Sequence, residues 1–351
     1  MARVLALTGG PSPEKFVSVA SARHVADVLQ VAGVEVDLYD IGNDGRLGTV
    51  EVPADLAVIN EDLSFDPPSF CETLARELRQ LRSKAPYACA LALGQGGPIE
   101  SGLVPRLLEE LGLRVFPAPA STIEIAGNKR RMREVFRRGG IPSLRYAFVA
   151  REQLEGAGWD LSSHLAAFPG AVVVKPDCTG SSVGVSGPGS RASQFAAAVP
   201  LWQRLGCNLI VEEYAAGAEY TCGCVRIAGS PHVLGVVRKE KAAGVLSFQS
   251  KYGDDPGYRK VKLSDGDRKA AVIRAMVGRL AEAVPDLLWF RADFMETADG
   301  RIAAIDFNPI PYFSADSTMY VSMIERGIEP RRFFAAALQS LGAERAAEVS
   351  A

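Results

Sequence analysis

Over its first 125 residues the chain alternates between strand-like and helical hydrophobic periods, and that alternation confines it to an open, parallel α/β sheet. Residues 2–8 read as a buried strand broken by Gly9-Gly10. Val17, Ala20, Val25, Val28 and Leu29 then recur at helical spacing. Val34–Tyr39 reads as a second strand and Leu56–Asn60 as a third, while Leu74, Leu78 and Leu81 line one face of a helix. Ala88–Leu93 is a further strand that runs into the glycine-rich stretch Gly94–Gly102, followed by a helix through Leu107, Leu108 and Leu111. In such a sheet the ligand loops lie beyond the carboxyl ends of the strands, so both glycine-rich loops belong on one edge. The first carries Glu14 and Ser18, the second Glu100.

Other properties narrow the partners. With 39 Lys and Arg against 41 Asp and Glu, no overall field draws the chain to nucleic acid or to an anionic membrane. The apolar run at the N-terminus is too short for a signal-peptide core, and nothing approaches about 18 uninterrupted apolar residues. These features place the chain in the cytoplasm without a membrane partner. The six cysteines form no repeated Cys-x-x-Cys and there are three histidines, which disfavours a zinc site and histidine acid/base chemistry. Cys222 and Cys224 share one face of a strand and read as buried structural residues.

Downstream, Ala171–Gly184 joins a β-branched strand ending at Lys175-Pro176 to a small loop rich in hydroxyls and unhindered N–H groups. Such a loop suits phosphate, although alone it is equally an ordinary turn, and it has neither Walker A nor Gly-x-Gly-x-x-Gly spacing. The basic stretch Asn128–Arg138 reads as an amphipathic helix whose arginines form a solvated face, with Lys129 at its start set apart. Strands follow at Leu144–Val149 and Leu209–Tyr214, the latter leading through Glu212-Glu213-Tyr214 into a hinge at Ala215-Ala216-Gly217. Near the C-terminus, Arg291 with Asp293 and Asp306 with Asn308 lie two residues apart on neighbouring strands, hence on one face. Oxygen ligands of this type suit Mg²⁺. The alternative is a hairpin whose acids face solvent.

Taken together in order, these motifs resemble the ATP-grasp enzymes of the D-alanine–D-alanine ligase family. Gly9-Gly10-Pro-Ser-Pro-Glu14-Lys-Phe-Val17-Ser18 is similar to the family's opening motif, whose glutamate orients the first substrate's amino group. Glu100 and Gly102 fall at its Glu-Asp-Gly, and Lys175 with Gly180-Ser181-Ser182-Val183-Gly184 matches its Lys-Pro…Gly-Ser-Ser-Val-Gly. The resemblance implies an ATP-grasp α/β fold in three domains: 1–125 as a parallel α/β substrate domain, 126–216 as a central lobe, and 217–351 as a C-terminal lobe. It implies ATP binding by Lys129, Lys175, Ser182, Lys251 and a hinge of Glu212, Glu213, Tyr214 and Glu219. It implies two Mg²⁺ ions on Asp293, Asp306 and Asn308, catalytic roles for Glu14, Ser181, Tyr252 and Arg291, and substrate contacts at Ser18, Glu100, Tyr312 and Ser317. A homodimer acting on amino acids through an acyl-phosphate follows from the same likeness. Lys251-Tyr252 with Gly253–Gly257 resembles the lid that shields that intermediate.

Three departures bear on the substrate. Gly94-Gln95 stands where the family opens its second loop with His-Gly, with one extra residue, which implies a missing substrate contact. Asp306 replaces the family's Glu, and Tyr312 replaces a glycine after Pro311. A specialised amino-acid ligase or an intramolecular ring-closing amide synthetase is therefore an alternative within the reaction class. An inactive nucleotide-binding regulator is the alternative from another class.

Overall fold

In the computed structural model, which describes residues 3–154, 161–241, 244–253 and 257–338, the first third forms the sheet β3-β2-β1-β4-β5. Its strands are β1 (Arg3–Gly9), β2 (Glu35–Ile41), β3 (Leu47–Gly48), β4 (Cys89–Ala92) and β5 (Val115–Phe116). β2, β1, β4 and β5 run parallel, and only the short β3 is antiparallel. β4 is apolar and buried from end to end and β1 is buried from Val4 onward, as strands covered on both faces by helices must be. The chain leaves β1 for β2 on one side and returns to β4 on the other. That reversal opens a crevice between the carboxyl ends of β1 and β4, and the loops carrying Glu14 and Glu100 lie there.

Leu56–Asn60, expected as a strand, is irregular. The Asp55 carboxylate accepts the Ala57 N–H, and Asn60 donates to the Ser12 carbonyl at 3.1 Å, so side chains satisfy backbone groups that a sheet would otherwise pair. Leu56 and Ile59 pack instead against Val17, Val183 and Phe248, over the first loop.

The second sheet, β6-β9-β7-β8, is antiparallel throughout and has its own core around Phe195, Trp202, Leu209 and Val211. It comprises β6 (Tyr146–Val149), β7 (Val172–Pro176), β8 (Ser186–Gly189) and β9 (Leu209–Glu213). β7 extends through Pro176, whose missing N–H is tolerated at a strand end. The third sheet, also antiparallel, has the order β12-β11-β10-β13-β14. Its strands are β10 (Glu219–Ile227), β11 (Ser230–Lys241), β12 (Tyr258–Lys262), β13 (Trp289–Glu296) and β14 (Ile302–Asn308). A helix over Arg268–Ala283, capped by Asp267, buries Ile273, Met276, Val277 and Leu280 against it, and this packing is continuous with that of the first sheet. Among the described residues, no helix is long and apolar enough to cross a membrane.

Candidate active site

At the β1/β4 crevice the backbone is fixed by small side chains. The Ser12 hydroxyl donates to the Gln95 carbonyl at 2.7 Å, and the Ser18 hydroxyl accepts the Gln95 N–H at 2.8 Å while donating to the Glu14 carbonyl. Ser18 is therefore fully buried and spent on the loop itself rather than presented to a ligand. Glu14 reaches across to the second sheet's loop, where its Oε2 accepts the Gly180 N–H at 2.9 Å. A Cβ on residue 180 would stand 2.9 Å from the other oxygen, so a side chain there would push the Glu14 carboxylate away. That other oxygen, Oε1, is buried without a hydrogen-bond partner, and so is the Nε2 of Gln95. Gln95 therefore places a buried donor in the loop where the resemblance implies a lost contact. Glu100 accepts the Gly96 N–H at 2.7 Å; burial, and then the Glu14 charge, push its carboxyl up to about 8.

Between the second and third sheets lies a cavity lined by Lys129, Lys175, Ser181, Ser182, Glu212, Glu213, Tyr214, Glu219, Lys251, Arg291, Asp293, Asp306 and Asn308. Strands supply Lys175, Glu212, Glu213, Glu219, Arg291, Asp293, Asp306 and Asn308, helices supply Lys129 and Lys251, and the fold assembles them from across the chain. Ser181 and Ser182 hold left-handed backbone with φ of 50° and 67°, a conformation that costs energy outside glycine. Lys129 begins the helix Lys129–Arg138; its N–H donates to the Asp177 carbonyl at 3.2 Å and its ammonium to the Thr179 carbonyl. Flanking Asp177, Cys178 and Cys207 are joined in a disulfide that ties the loop to the start of β9, a link the sequence reading does not include.

Arg133 is a second feature outside that reading. It lies in the basic helix expected to face solvent, yet it is 2% exposed. Its guanidinium donates to the carbonyls of Ala304 at 3.1 Å and Ile305 at 3.0 Å, lies over the rings of Phe136 and Tyr146, and pairs with Glu212. The other Glu212 oxygen meets the Lys175 ammonium at 2.5 Å. Apolar neighbours at helical spacing, Met132 and Phe136, mark the buried stripe on which Arg133 sits. Glu219 pairs with Lys239 at 2.6 Å directly across β10 and β11, and Glu213 accepts from the Arg145 N–H and the Arg301 guanidinium.

The acidic hairpin places Asp293 opposite Asp306 and Arg291 opposite Asn308. Arg291 forks onto Asp293, with Nη2 at 2.8 Å; although burial alone would raise it, the Asp293 carboxyl is held well below its usual range by that guanidinium. The Asp306 carboxylate makes no hydrogen bond or ion pair among the described residues, and the Asn308 side-chain oxygen accepts the Ile310 N–H at 2.8 Å. An unpaired carboxylate facing a paired one, with an amide oxygen on the same face, fits a hard divalent cation. The alternative of a solvent-facing hairpin does not hold, because these groups stand in the cavity wall.

A smaller cavity adjoins the first, sharing Ser181, Lys251 and Arg291, and is lined further by Tyr252, Tyr258, Lys260, Tyr312, Asp316 and Ser317. The Tyr252 and Ser181 hydroxyls share a hydrogen bond of 2.8 Å, so the short helix Phe248–Tyr252 is docked on the phosphate-loop candidate. Residues 254–256 of the expected lid lie outside the described residues. Burial pushes the Lys251 ammonium down to about 8. Tyr312 packs edge-on against Tyr252 at 5.6 Å, and Ser317 caps the helix Thr318–Glu325 by accepting the Tyr320 N–H. Tyr258 and Lys260 come from β12, an edge strand too charged to stand out in sequence.

The sequence and the fold point to the same relatives. Residues 135–339 match the family described as D-ala D-ala ligase C-terminus. A D-alanine–D-alanine ligase of Ectopseudomonas mendocina is 27% identical over 332 residues, covering 93% of this chain and 90% of that protein. Among solved structures, D-alanyl-alanine synthetase A from Vibrio cholerae superposes with a TM-score of 0.74 at 19% identity, covering 97% and 98% of the two chains. The D-alanine–D-alanine ligase from Bacillus anthracis complexed with ATP gives 0.70 at 18% identity, covering 99% and 100%. With more than half of its length matched by that family, this chain belongs to the D-ala D-ala ligases and carries their ATP-grasp fold.

Proposed function

We propose that the protein is an ATP-dependent ligase that activates the carboxylate of one amino acid as an acyl phosphate and joins it to the amine of a second, releasing ADP and phosphate. The observation that carries this reading is the gathering of Lys129, Lys175, Lys251 and Arg291 around Asp293, Asp306 and Asn308 in one cavity. A carboxylate resists amine attack, and passing the γ-phosphoryl group to it supplies a leaving group. The protein then has to position reactants and offset charge rather than provide a nucleophile. The apolar end formed by Leu144, Ala215, Met295 and Ile305 suits a flat base beside the Glu212–Tyr214 hinge. Lys129, Lys175, Lys251 and the Ser181–Ser182 loop would hold the phosphates. Asp293, Asp306 and Asn308 would hold Mg²⁺, two ions as the family resemblance implies, and the metal would neutralise phosphate charge there.

Glu14 suits the ammonium of the first amino acid, because its unpartnered buried Oε1 is an acceptor in need of a donor. Arg291 would stabilise the oxyanion formed when the second amine adds to the acyl carbon, and phosphate then leaves. Tyr252, sealed by Val17, Val183 and Phe248, would keep water from the acyl phosphate. A homodimer in the cytoplasm follows by family analogy, and light scattering and cell fractionation test those two points.

D-Alanine is the first substrate to test at both positions. Tyr312 favours a second reading, a specialised amino-acid ligase, because its ring occupies the wall of the acceptor cavity and changes the volume left for the acceptor. Phosphate release with Mg²⁺ and ATP, against D- and L-amino acids singly and in pairs with product masses recorded, decides between them. A D-alanyl-D-alanine mass supports the first. Turnover only with another amino acid supports the second, and a product one water lighter than a single substrate indicates ring closure. No phosphate release with any amino acid would sink the ligase reading.

A further inference from the structure

The phosphate-facing lysine of β7 is engaged elsewhere: Lys175 is tied to the carboxylate of Glu212 at 2.5 Å, the only ion pair it makes among the described residues. Glu212 sits opposite Val173 in the β7/β9 ladder, and Lys175 reaches it along the diagonal. For Lys175 to meet a phosphate it must give up this partner. At 3% exposure, a Glu212 left alone would be an uncompensated buried charge, which is strongly destabilising. The structure supplies a second cation. Resting on the ligase reading above, we propose that Arg133 is a positioning residue whose permanent ion pair with Glu212 releases Lys175 to the nucleotide phosphates.

Arg133 is built to stay. Two carbonyls of β14 and two aromatic rings hold its guanidinium in addition to Glu212, so it cannot follow a ligand out of the cluster. Lys175 has no such anchors. Shared with Arg133, Glu212 gives Lys175 only part of a counter-charge, and an incoming phosphate oxygen completes it. Burial, and next the Arg133 charge, already weigh against the Lys175 ammonium in this position. Arg133 also grips β14 at Ala304 and Ile305, immediately before Asp306, so the helix that starts with Lys129 joins the hinge strand β9 to the strand carrying the metal-ligand candidate. An ammonium could supply the charge but not a fork spanning both carbonyls and the carboxylate.

The test compares wild type with Arg133→Met and Arg133→Lys by calorimetric titration of a non-hydrolysable ATP analogue with Mg²⁺, alongside kcat, the ATP KM and Tm. In Arg133→Met, Lys175 and Glu212 form a closed pair, and the analogue's Kd and the ATP KM should rise about tenfold, while kcat at saturating ATP changes less than about threefold. Arg133→Lys keeps the charge and loses the fork. Its Kd should stay within about threefold of wild type even though its Tm falls. A merely structural role predicts that both variants lose Tm and active fraction together with Kd unmoved, and that result overturns the proposal. Equal Kd values for the Met and Lys variants overturn it as well. Should Arg133→Met fail to fold, Arg133→Gln, which keeps hydrogen-bond donors without charge, takes its place under the same criteria. Failure of the ligase reading looks different: wild type itself would bind no analogue or release no phosphate.

Discussion

The two adjoining cavities are built in opposite ways. In the larger one most charged groups come from strands, Lys129 and Lys251 excepted, and are placed by sheet register: Asp293 opposite Asp306, Glu219 opposite Lys239, Glu212 diagonal to Lys175. In the smaller one the wall is made by Tyr312, Ser314, Asp316 and Ser317 from a loop, by the edge strand β12, and by Tyr252 at the end of a five-residue helix. Sheet register is all-or-none, so the first arrangement resists gradual change. Loop residues alter volume and charge without disturbing a ladder. The chemistry would reside in the part that cannot drift, and the choice of acceptor in the part that can.

Arg291 gives the hardest test of that division. It stands in the larger cavity's wall, paired with Asp293, yet also lines the smaller one. Arg291→Ala should lower kcat by about 10²–10³-fold, the loss typical of an oxyanion donor, with the ATP Kd within about threefold of wild type. An equal loss of ATP affinity would assign Arg291 to the phosphates and blur the boundary between the cavities. Tyr312 should behave differently. Tyr312→Gly enlarges the acceptor side, and we expect the ratio of kcat/KM between a small and a large acceptor to change by about 10–100-fold with the ATP KM unmoved. An unchanged ratio would remove the loop from acceptor selection.

The same division explains what could be read from the chain alone. Lys175 with Gly180–Gly184, and Arg291, Asp293, Asp306 and Asn308, stand in short runs because each run is one strand end or one hairpin. Arg133 escaped because its charge pointed to solvent; the signal present was its place between Met132 and Phe136 on the apolar stripe, and it requires weighing position above residue type. β8 escaped because Ser186-Gly-Pro-Gly189 has no strand former, and its pairing is imposed by β7. Leu56–Asn60 was drawn into the sheet by its composition, whereas Asp55 and Asn60 satisfy its backbone locally. The Cys178–Cys207 link joins residues 29 apart in sequence, and no pattern announces it.

That disulfide sharpens the comparison from the phosphate side. It adjoins Asp177, whose carbonyl receives the Lys129 N–H, and so stiffens the phosphate-loop side of the larger cavity. Cys178→Ser combined with Cys207→Ser should destabilise the fold by about 2–4 kcal/mol. The ATP Kd should weaken about threefold with acceptor preference unchanged, as read by thermal unfolding and titration. Wild type in dithiothreitol should behave like the variant, and a difference between the two would trace the effect to the serines rather than to the missing bond.

The last test, on stability alone rather than on turnover or binding, concerns Glu100, at the edge of the larger cavity. Its carboxyl is raised to about 8 by burial and then by Glu14, against an ordinary value of 4.5, so the folded protein retains a proton that the unfolded chain gives up between those two values. The unfolded state binds fewer protons throughout that window, and stability must therefore fall as pH rises from about 4.5 to about 8, then level off. Glu100→Gln mimics the protonated form and cannot titrate. Denaturant unfolding of the ligand-free protein should show a shallower decline for the variant across that window, with the variant the more stable of the two near pH 9. A slope identical in both proteins would mean that Glu100 is ionised in the fold. Glu14 and Glu100 would then have to share the crevice as two charges, and the first substrate's ammonium would meet a doubly negative site instead of a single carboxylate.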